Sequence, residues 1–202
     1  MNPRIALISA TPAAIPPAVT ALEKGFPRAR PWNILDDRLL TDVGEHGRTP
    51  ALDDRMRRLI DYAVSGGADG VLLTCSLYGE VTKQVDTPVP LLAPDEAAFD
   101  DALSSGRTRI LVVASLATAL SDSTARFEQA ARDKGIPVEV GGLLASGKLV
   151  ETCQERARGW DLVLLAQYSL APAADELSTA LGIPVVSGPR SAAAKLKAVI
   201  GG

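Results

Sequence analysis

The sequence of 202 residues lacks the common cofactor motifs. It contains no GxGxxG, no GxxxxGK[ST] and no CxxC, which argues against the usual dinucleotide, P-loop and dithiol-redox sites. Its single histidine, His46, cannot form a histidine metal cluster, and it could complete a Ser-His-Asp triad only from a loop-like stretch. We therefore expect no cofactor and no metal, and we expect His46 to be a solvated loop residue.

Cysteines and long apolar runs are also scarce. Cys75 and Cys153 are too few for a disulfide framework, so both are expected to remain thiols. No run reaches about 18 apolar residues, and Met1 leads directly into a strand-like run rather than a signal peptide. The net charge of −3 is scattered, which argues against nucleic acid as a partner. These absences predict a compact cytoplasmic protein that does not bind a membrane and whose partner is a small molecule.

Short, continuous runs of Val, Ile and Leu are typical of parallel strands covered on both faces. Such runs lie at 4–9, 70–74, 109–115 and 161–167, with weaker strand candidates at 32–35, 90–93, 138–142 and 184–187. Helical patterns lie between them, at 15–24, 50–65, 77–84, 95–104, 117–134, 146–157, 172–181 and 189–199. This alternation predicts an α/β fold with right-handed crossovers.

The chain also repeats itself. Three pairs of segments match in the same order: "RIALISATPA" (4–13) with "RILVVASLAT" (109–118), "ADGVLLTCSL" (68–77) with "WDLVLLAQYS" (160–169), and "TPVPLLAP" (87–94) with "GIPVVSGP" (182–189). The repeat predicts two pseudo-symmetric, Rossmann-like (flavodoxin-like) halves with parallel sheets.

We place the first half at residues 1–95, joined by the C-terminal helix 189–202, and the second half at 96–188. In open α/β sheets, ligands bind beyond the carboxyl ends of the strands. We therefore expect a cleft between the halves, with Cys75 and Gln167 at such strand ends.

Cys75 stands where a strand ends and a helix-like stretch begins. Unpaired N–H groups and the helix dipole at such a junction favour a thiolate and bind anions. A thiol with a lowered pKa can abstract and return a proton near neutral pH. Buried cysteine is also common as packing, so both interpretations stay open for Cys75. Cys153, at helical spacing with Leu149, Val150 and Ala157, is predicted to be packing.

The repeat places Gln167 where the first half has Cys75, and Tyr168 where it has Ser76. Neither is a good base at neutral pH, because an amide only hydrogen-bonds and a tyrosine titrates near 10. Other polar residues near strand ends either cap the next helix or face the cleft, where hydroxyls could bind a substrate carboxylate. They are Ser9 and Ser115, expected at matching ends of the first strand of each half, Thr11 and Thr118 near the start of the next helix, and Asp36 and Asp37.

The sequence resembles the aspartate/glutamate/hydantoin racemase superfamily, which includes arylmalonate decarboxylase and maleate isomerase. The resemblance covers nearly the whole chain and rests on "GADGVLLTCSLYG" (67–79), "PVPLLAPDEAAFDDAL" (88–103), "RILVVASLATAL" (109–120) and "IPVVSGPRSAAAKLKAVI" (183–200). In that superfamily each half typically supplies one cysteine, and the two face each other across a substrate α-carbon. Cys75 matches the first cysteine, whereas Gln167 stands at the second, so the sequence departs from the two-cysteine pattern.

The resemblance implies a cofactor-independent enzyme acting on a small carboxylate or related carbonyl compound, with a homo-oligomer as a further expectation by analogy. Cys75 would be the proton donor and acceptor. The implied substrate-binding residues are Ser9, Thr74, Ser76, Ser115 and Thr118 for the carboxylate, and Gln167, Tyr168 and Ser169 for orientation on the opposite side.

Three functions remain open. One is racemisation or epimerisation, with Tyr168 or a water as the partner of Cys75. The second is a decarboxylase or lyase that protonates a single face, and the third is non-catalytic binding of a small ligand.

Overall fold

The computed structural model describes residues 2–201, which form two compact units. Unit 1 comprises Met1–Pro94 and Ala192–Gly202, and unit 2 comprises Asp95–Ser191. Each unit is built on a four-stranded parallel sheet. This architecture confirms the predicted α/β class and the two similar halves.

Unit 1 follows the pattern of strands joined by helices. Its elements are β1 (Arg4–Ser9), α1 (Ile15–Gly25), β2 (Arg30–Leu35), α2 (Arg38–His46), α3 (Pro50–Ser65), β3 (Gly70–Leu73) and β4 (Leu91–Leu92), with 3₁₀ helices at Pro12–Ala14 and Ser76–Gln84. The strand order is β2-β1-β3-β4.

Unit 2 repeats this arrangement. Its elements are α4 (Glu96–Ser104), β5 (Arg109–Ala114), α5 (Ala117–Asp133), β6 (Glu139–Leu144), α6 (Leu149–Arg156), β7 (Leu162–Leu165), a 3₁₀ helix at Tyr168–Ala173, α7 (Ala174–Leu181) and β8 (Val185–Ser187). Helix α8 (Gly188–Ile200) follows, and from Ala192 onward it belongs to unit 1. The strand order β6-β5-β7-β8 corresponds to that of unit 1.

The central strands of both sheets correspond to the longest continuous apolar runs that the sequence analysis identified. Every residue of β3 and β7 is buried, and in β1 and β5 only the first residue is exposed. Helices cover both faces of each sheet, which is why these strands read as unbroken apolar runs rather than alternating ones. Their carboxyl ends therefore project from a rigid core. No helix within residues 2–201 is long and apolar enough to span a membrane.

One local prediction was wrong, and the structure refines a second. Helix α2 was not predicted, and His46 is its last residue rather than part of a loop, although its imidazole is exposed as expected. Leu39, Leu40 and Val43 recur at helical spacing and pack on the core of unit 1, which explains the helix. The segment predicted as a helix at 77–84 is a 3₁₀ helix, Ser76–Gln84.

Candidate active site

Two hydroxyl groups meet at the carboxyl end of the unit 1 sheet. Strands β1 and β3 are neighbours in which Ile8 pairs with Leu73, so the residues that follow them lie side by side. The Thr74 N–H donates to the Ile8 carbonyl at 3.0 Å, and Thr74 Oγ1 donates to Ser9 Oγ at 2.8 Å. Thr74 is 5% exposed and Ser9 is 0% exposed, so this is a buried polar pair at the base of the site.

Cys75 comes directly after this pair. Its backbone is extended (φ −114°, ψ 116°), and its carbonyl accepts from the Tyr78 N–H at 3.2 Å as the 3₁₀ helix begins at Ser76. The residue is half-buried and packs against the core of unit 1, and Ser76 is also half-buried. The thiol therefore combines a fixed position at a strand end with partial access to solvent.

Tyr78 is a neighbour of Cys75 that the sequence did not suggest. Its ring is buried, and its hydroxyl donates to the Leu39 carbonyl at 3.3 Å. Burial, assisted by the charges of Cys75 and Asp53, raises the pKa of Tyr78 to about 12. The Arg48 guanidinium lies 5.9 Å from the centre of its ring and pairs with Asp53 at 2.9 Å. The phenol stays protonated at neutral pH, and its only sequence signal is its position three residues after Cys75.

The Asp36 side chain caps helix α2 rather than lining a cleft. Its Oδ1 accepts from the Arg38 N–H at 3.2 Å and from Arg55 Nη2 at 2.6 Å. Arg55 also binds Asp42 at 2.8 Å. Asp37 is the N-cap residue of α2, but its side chain makes no capping hydrogen bond. Of the two interpretations that the sequence left open for Asp36, the structure supports helix capping together with an ion pair.

At the corresponding edge of unit 2, Gln167 stands where unit 1 has Cys75. It follows β7 by two residues, has extended backbone (φ −133°, ψ 140°) and precedes a 3₁₀ helix. Its Oε1 accepts from the Ser115 N–H at 2.6 Å and from Ser115 Oγ at 3.0 Å. Within the described part of the chain its amide nitrogen donates to no protein atom, so its N–H groups remain available. Gln167 can donate hydrogen bonds but supplies no base.

Tyr168 is buried, whereas Ser169 is exposed. Burial, with a smaller contribution from the charge of Asp95, raises the pKa of Tyr168 well above its ordinary value near 10. Asp95 is itself buried and pairs with Arg126, which also binds Asp122 at 2.9 Å. Tyr168 therefore keeps its proton at neutral pH and is a poor base.

The strand register shifts one predicted correspondence by a residue. Thr74 N–H binds the Ile8 carbonyl in unit 1, and Ala166 N–H binds the Val113 carbonyl in unit 2. Ser9 is the residue after Ile8, so its counterpart is Ala114. Ser115, expected to match Ser9, lies one position beyond it because it follows β5 rather than ending it.

The two threonines differ in role. Thr11 accepts from the Ala13 N–H at 3.4 Å and caps the 3₁₀ helix that follows β1. Thr118 is exposed in the first turn of α5, where the cap position belongs to Leu116. The structure thus brings together Ser9, Thr74 and Cys75 in unit 1, and Ser115 with Gln167 in unit 2. Within the described residues, the Thr118 side chain forms no hydrogen bond with either set.

The remaining candidates lie elsewhere. Cys153 is buried in the core of unit 2 with Leu149, Val150 and Ala157, as predicted, and burial raises the pKa of its thiol. Neither cysteine forms a disulfide. Among residues 2–201, no group of three or more His, Cys, Asp or Glu side chains is arranged to hold a metal ion.

The sequence matches no family model and no curated protein. Its structure, however, is similar to that of the aspartate racemase of Picrophilus torridus, with a TM-score of 0.76 and 15% identity over 98% of this chain and 94% of that one. The chain has the fold of the aspartate racemases. It is also similar to the allantoin racemase of Klebsiella pneumoniae (TM-score 0.73, 17% identity, 98% and 88% of the two chains).

The glutamate racemase of Campylobacter jejuni is a third similar structure, with a TM-score of 0.68 and 12% identity over 97% of this chain and 85% of that one. The likeness confirms the resemblance predicted from the sequence at the level of the fold. Function has to be argued from the site, because one fold serves many reactions.

Proposed function

We propose that the protein is a cofactor-independent enzyme of the racemase or epimerase type that transfers a proton at the α-carbon of a small carboxylate or related carbonyl compound. The observation that carries this proposal is the half-buried Cys75 thiol, fixed beyond the carboxyl end of β3 and next to the Ser9–Thr74 hydroxyl pair. Ligand sites of open α/β sheets lie at this end of the strands. The similar solved structures are named as racemases of aspartate, glutamate and allantoin.

In the proposed reaction the Cys75 thiolate removes the α-proton. The S–H bond forms as the C–H bond breaks, and the electron pair moves into the adjacent carbonyl to give an enediolate or enolate. Donors aimed at that developing charge stabilise it. We assign this role to the hydroxyls of Ser9, Thr74 and Ser76. A water on the opposite face delivers a proton to carbon and inverts it, and the Cys75 thiol then gives its proton to the hydroxide that remains, which regenerates the thiolate.

The proposal keeps the substrate-binding role predicted for unit 2, which involves Ser115, Thr118, Gln167, Tyr168 and Ser169. Within this set Gln167 is the best-placed donor. Ser115 holds its oxygen with two hydrogen bonds, so the amide plane is fixed while its N–H groups stay available. A fixed neutral donor orients a carboxylate without taking part in proton transfer.

A second candidate is a decarboxylase or lyase in which Cys75 protonates a single face. The chemistry at the end of β7 favours it, because Gln167 is not a base and burial raises the pKa of Tyr168 far above neutrality. In deuterium oxide a racemase labels both enantiomers, whereas one-faced protonation labels only one.

The test is deuterium incorporation into aspartate, glutamate, allantoin and an arylmalonate, followed by proton NMR. The Cys75→Ala variant is expected to lose exchange by about 10²–10⁴-fold, the usual contribution of a general acid or base. Cys153→Ala is the matched control, because that thiol is buried in the core. Undiminished exchange by Cys75→Ala would refute the assignment of Cys75.

A further inference from the structure

A cavity of about 840 Å³ lies at the amino end of the unit 1 sheet. Its charged lining consists of Arg4, Arg28, Arg30 and Asp69, and we call it the arginine cavity. Arg4 is the first residue of β1, so the cavity is at the opposite end of the parallel strands from Cys75. Three arginines against one aspartate leave a formal charge of +2 in a chain whose net charge is −3. The volume falls within the range of small-molecule sites, roughly 300–1,000 Å³.

The repeat provides an internal reference for this charge. In unit 1, Arg4 on β1 is in register with Arg30 on β2. In unit 2, Arg109 on β5 is in register with Glu139 on β6, and their side chains form a salt bridge of 2.9 Å. Like charges at directly opposed positions of neighbouring strands destabilise a sheet. Unit 1 therefore carries two like charges in register where unit 2 carries an ion pair.

The main-chain contact of the first strand residue with an aspartate is the same in both units. The Arg4 N–H donates to Asp69 Oδ2 at 2.7 Å, and the Arg109 N–H donates to Asp161 Oδ2 at 3.0 Å. The main-chain anchor of the first strand is thus kept, and the unit 1 edge is cationic because Arg30 replaces an acid and Arg28 stands where unit 2 has Pro137. Asp69 is engaged by the main chain of Arg4, and it does not pair with Arg30.

The guanidinium groups keep donors for a ligand. Arg4 Nη1 donates to the Gly66 carbonyl at 2.8 Å, and Arg28 Nη2 donates to the Gly201 carbonyl at 2.9 Å. These two bonds use one nitrogen of each group. Within the described residues, the Arg30 side chain has no hydrogen bond or ion pair. The planar fork of an arginine binds phosphate through two parallel N–H groups.

We propose that the arginine cavity binds a small phosphate-bearing anion. Such a ligand supplies the negative charge that Glu139 supplies in unit 2, and it relieves the repulsion between Arg4 and Arg30. The site is independent of the chemistry assigned to Cys75, because it occupies the other end of the strands.

Isothermal titration calorimetry with inorganic pyrophosphate at low ionic strength tests the proposal. The wild type is expected to bind, and Arg30→Glu, which recreates the unit 2 arrangement, is expected to bind at least tenfold more weakly. Arg158→Glu in unit 2 makes the same charge change at an exposed arginine and is expected to bind as the wild type does. Cys75→Ala is also expected to bind normally, which separates this site from the proposed function.

Three results would overturn the proposal: no binding by the wild type, equal weakening in Arg30→Glu and Arg158→Glu, or citrate binding as tight as that of pyrophosphate.

The melting temperature without anion gives an independent readout. Arg30→Glu is expected to raise it by about 1–3 °C, because the new carboxylate pairs with Arg4. A fall in melting temperature would contradict the repulsion on which the proposal rests.

Discussion

The carboxyl edges of the two units share one strand topology but place their polar groups one residue apart. In unit 1 the buried hydroxyls of Ser9 and Thr74 pair directly at the strand ends, and Cys75 comes next. In unit 2 the corresponding positions are Ala114 and Ala166, and the polar pair is formed one step further out by Ser115 and Gln167. The same backbone thus carries a thiol on one sheet and a fixed amide on the other.

This difference shows what a repeated fold preserves. The central strands, their register and the 3₁₀ turn after the third strand of each sheet are the same, because burial on both faces fixes them. The side chains beyond the strand ends are not constrained in this way. They can diverge without cost to the core, and they determine the chemistry.

The charged groups differ between the two edges as well. In unit 1 Arg48 pairs with Asp53, and the Arg48 side chain is 34% exposed. In unit 2 Asp95 pairs with Arg126, and their side chains are only 10% and 19% exposed. Burial lowers the pKa of Arg126, but the hydrogen bond and charge of Asp95, aided by Asp122, outweigh it and raise that pKa overall. Arg126 in unit 2 therefore depends on its carboxylate partner far more than Arg48 in unit 1 does.

The largest expected effect on stability is therefore that of Asp95→Ala. It leaves Arg126 buried with Asp122 as its remaining carboxylate, and we expect a loss of about 3 kcal/mol in the free energy of unfolding, measured by urea denaturation. Asp53→Ala removes the corresponding acid from Arg48 and should cost less than about 1 kcal/mol, because that pair is more exposed. Equal losses in the two variants would contradict the contrast between the edges.

A smaller effect is expected from the buried hydroxyl pair. Thr74→Val keeps the shape of the side chain but leaves the Ser9 hydroxyl without its partner, which should cost about 1–3 kcal/mol. The double variant Ser9→Ala with Thr74→Val removes both hydroxyls and makes the pair apolar, as it is in unit 2. Its loss is expected to be smaller than the sum of the single-variant losses, as a double-mutant cycle in urea would measure. Strict additivity would show that the two hydroxyls do not interact.

The smallest expected effect is on the melting temperature at alkaline pH. Tyr78 has a pKa of about 12 in the folded protein, against about 10 in an unfolded chain, so the folded state retains the proton between these values. Its contribution to stability is complete below pH 10 and is lost as the pH rises toward 12. We expect the melting temperature of Tyr78→Phe to fall less between pH 9.5 and 11.5 than that of the wild type. Tyr62→Phe, at a tyrosine that is 60% exposed, should behave as the wild type, and an equal fall in both variants would count against the assignment.

Much of this could be predicted from the sequence where one force dominates. The runs at 4–9 and 109–115 became β1 and β5 because aliphatic burial on both faces leaves little choice. Helix α2 was missed because its apolar face consists of three residues within a polar stretch ending at His46. The position of Cys75 at a strand end was predicted, whereas its neighbour Tyr78 depends on the 3₁₀ turn that folds back beside it.

The long-range ionic contacts could not be predicted, since they join residues far apart in sequence. Arg126 meets Asp95, 31 positions away, through the packing of α5 against α4. The match of Ser9 with Ser115 was wrong for a different reason, since the alignment of 4–13 with 109–118 already pairs Ser9 with Ala114. The register of the strands agrees with that alignment.

The most direct test of the central claim compares deuterium exchange by Cys75→Ala and Gln167→Ala on the same substrate. If the acid/base chemistry belongs to the edge of unit 1, Cys75→Ala loses about 10²–10⁴-fold in exchange rate. Gln167→Ala, which removes one hydrogen-bond donor, then loses less than about tenfold. Equal losses in the two variants, or a larger loss in Gln167→Ala, would contradict the account.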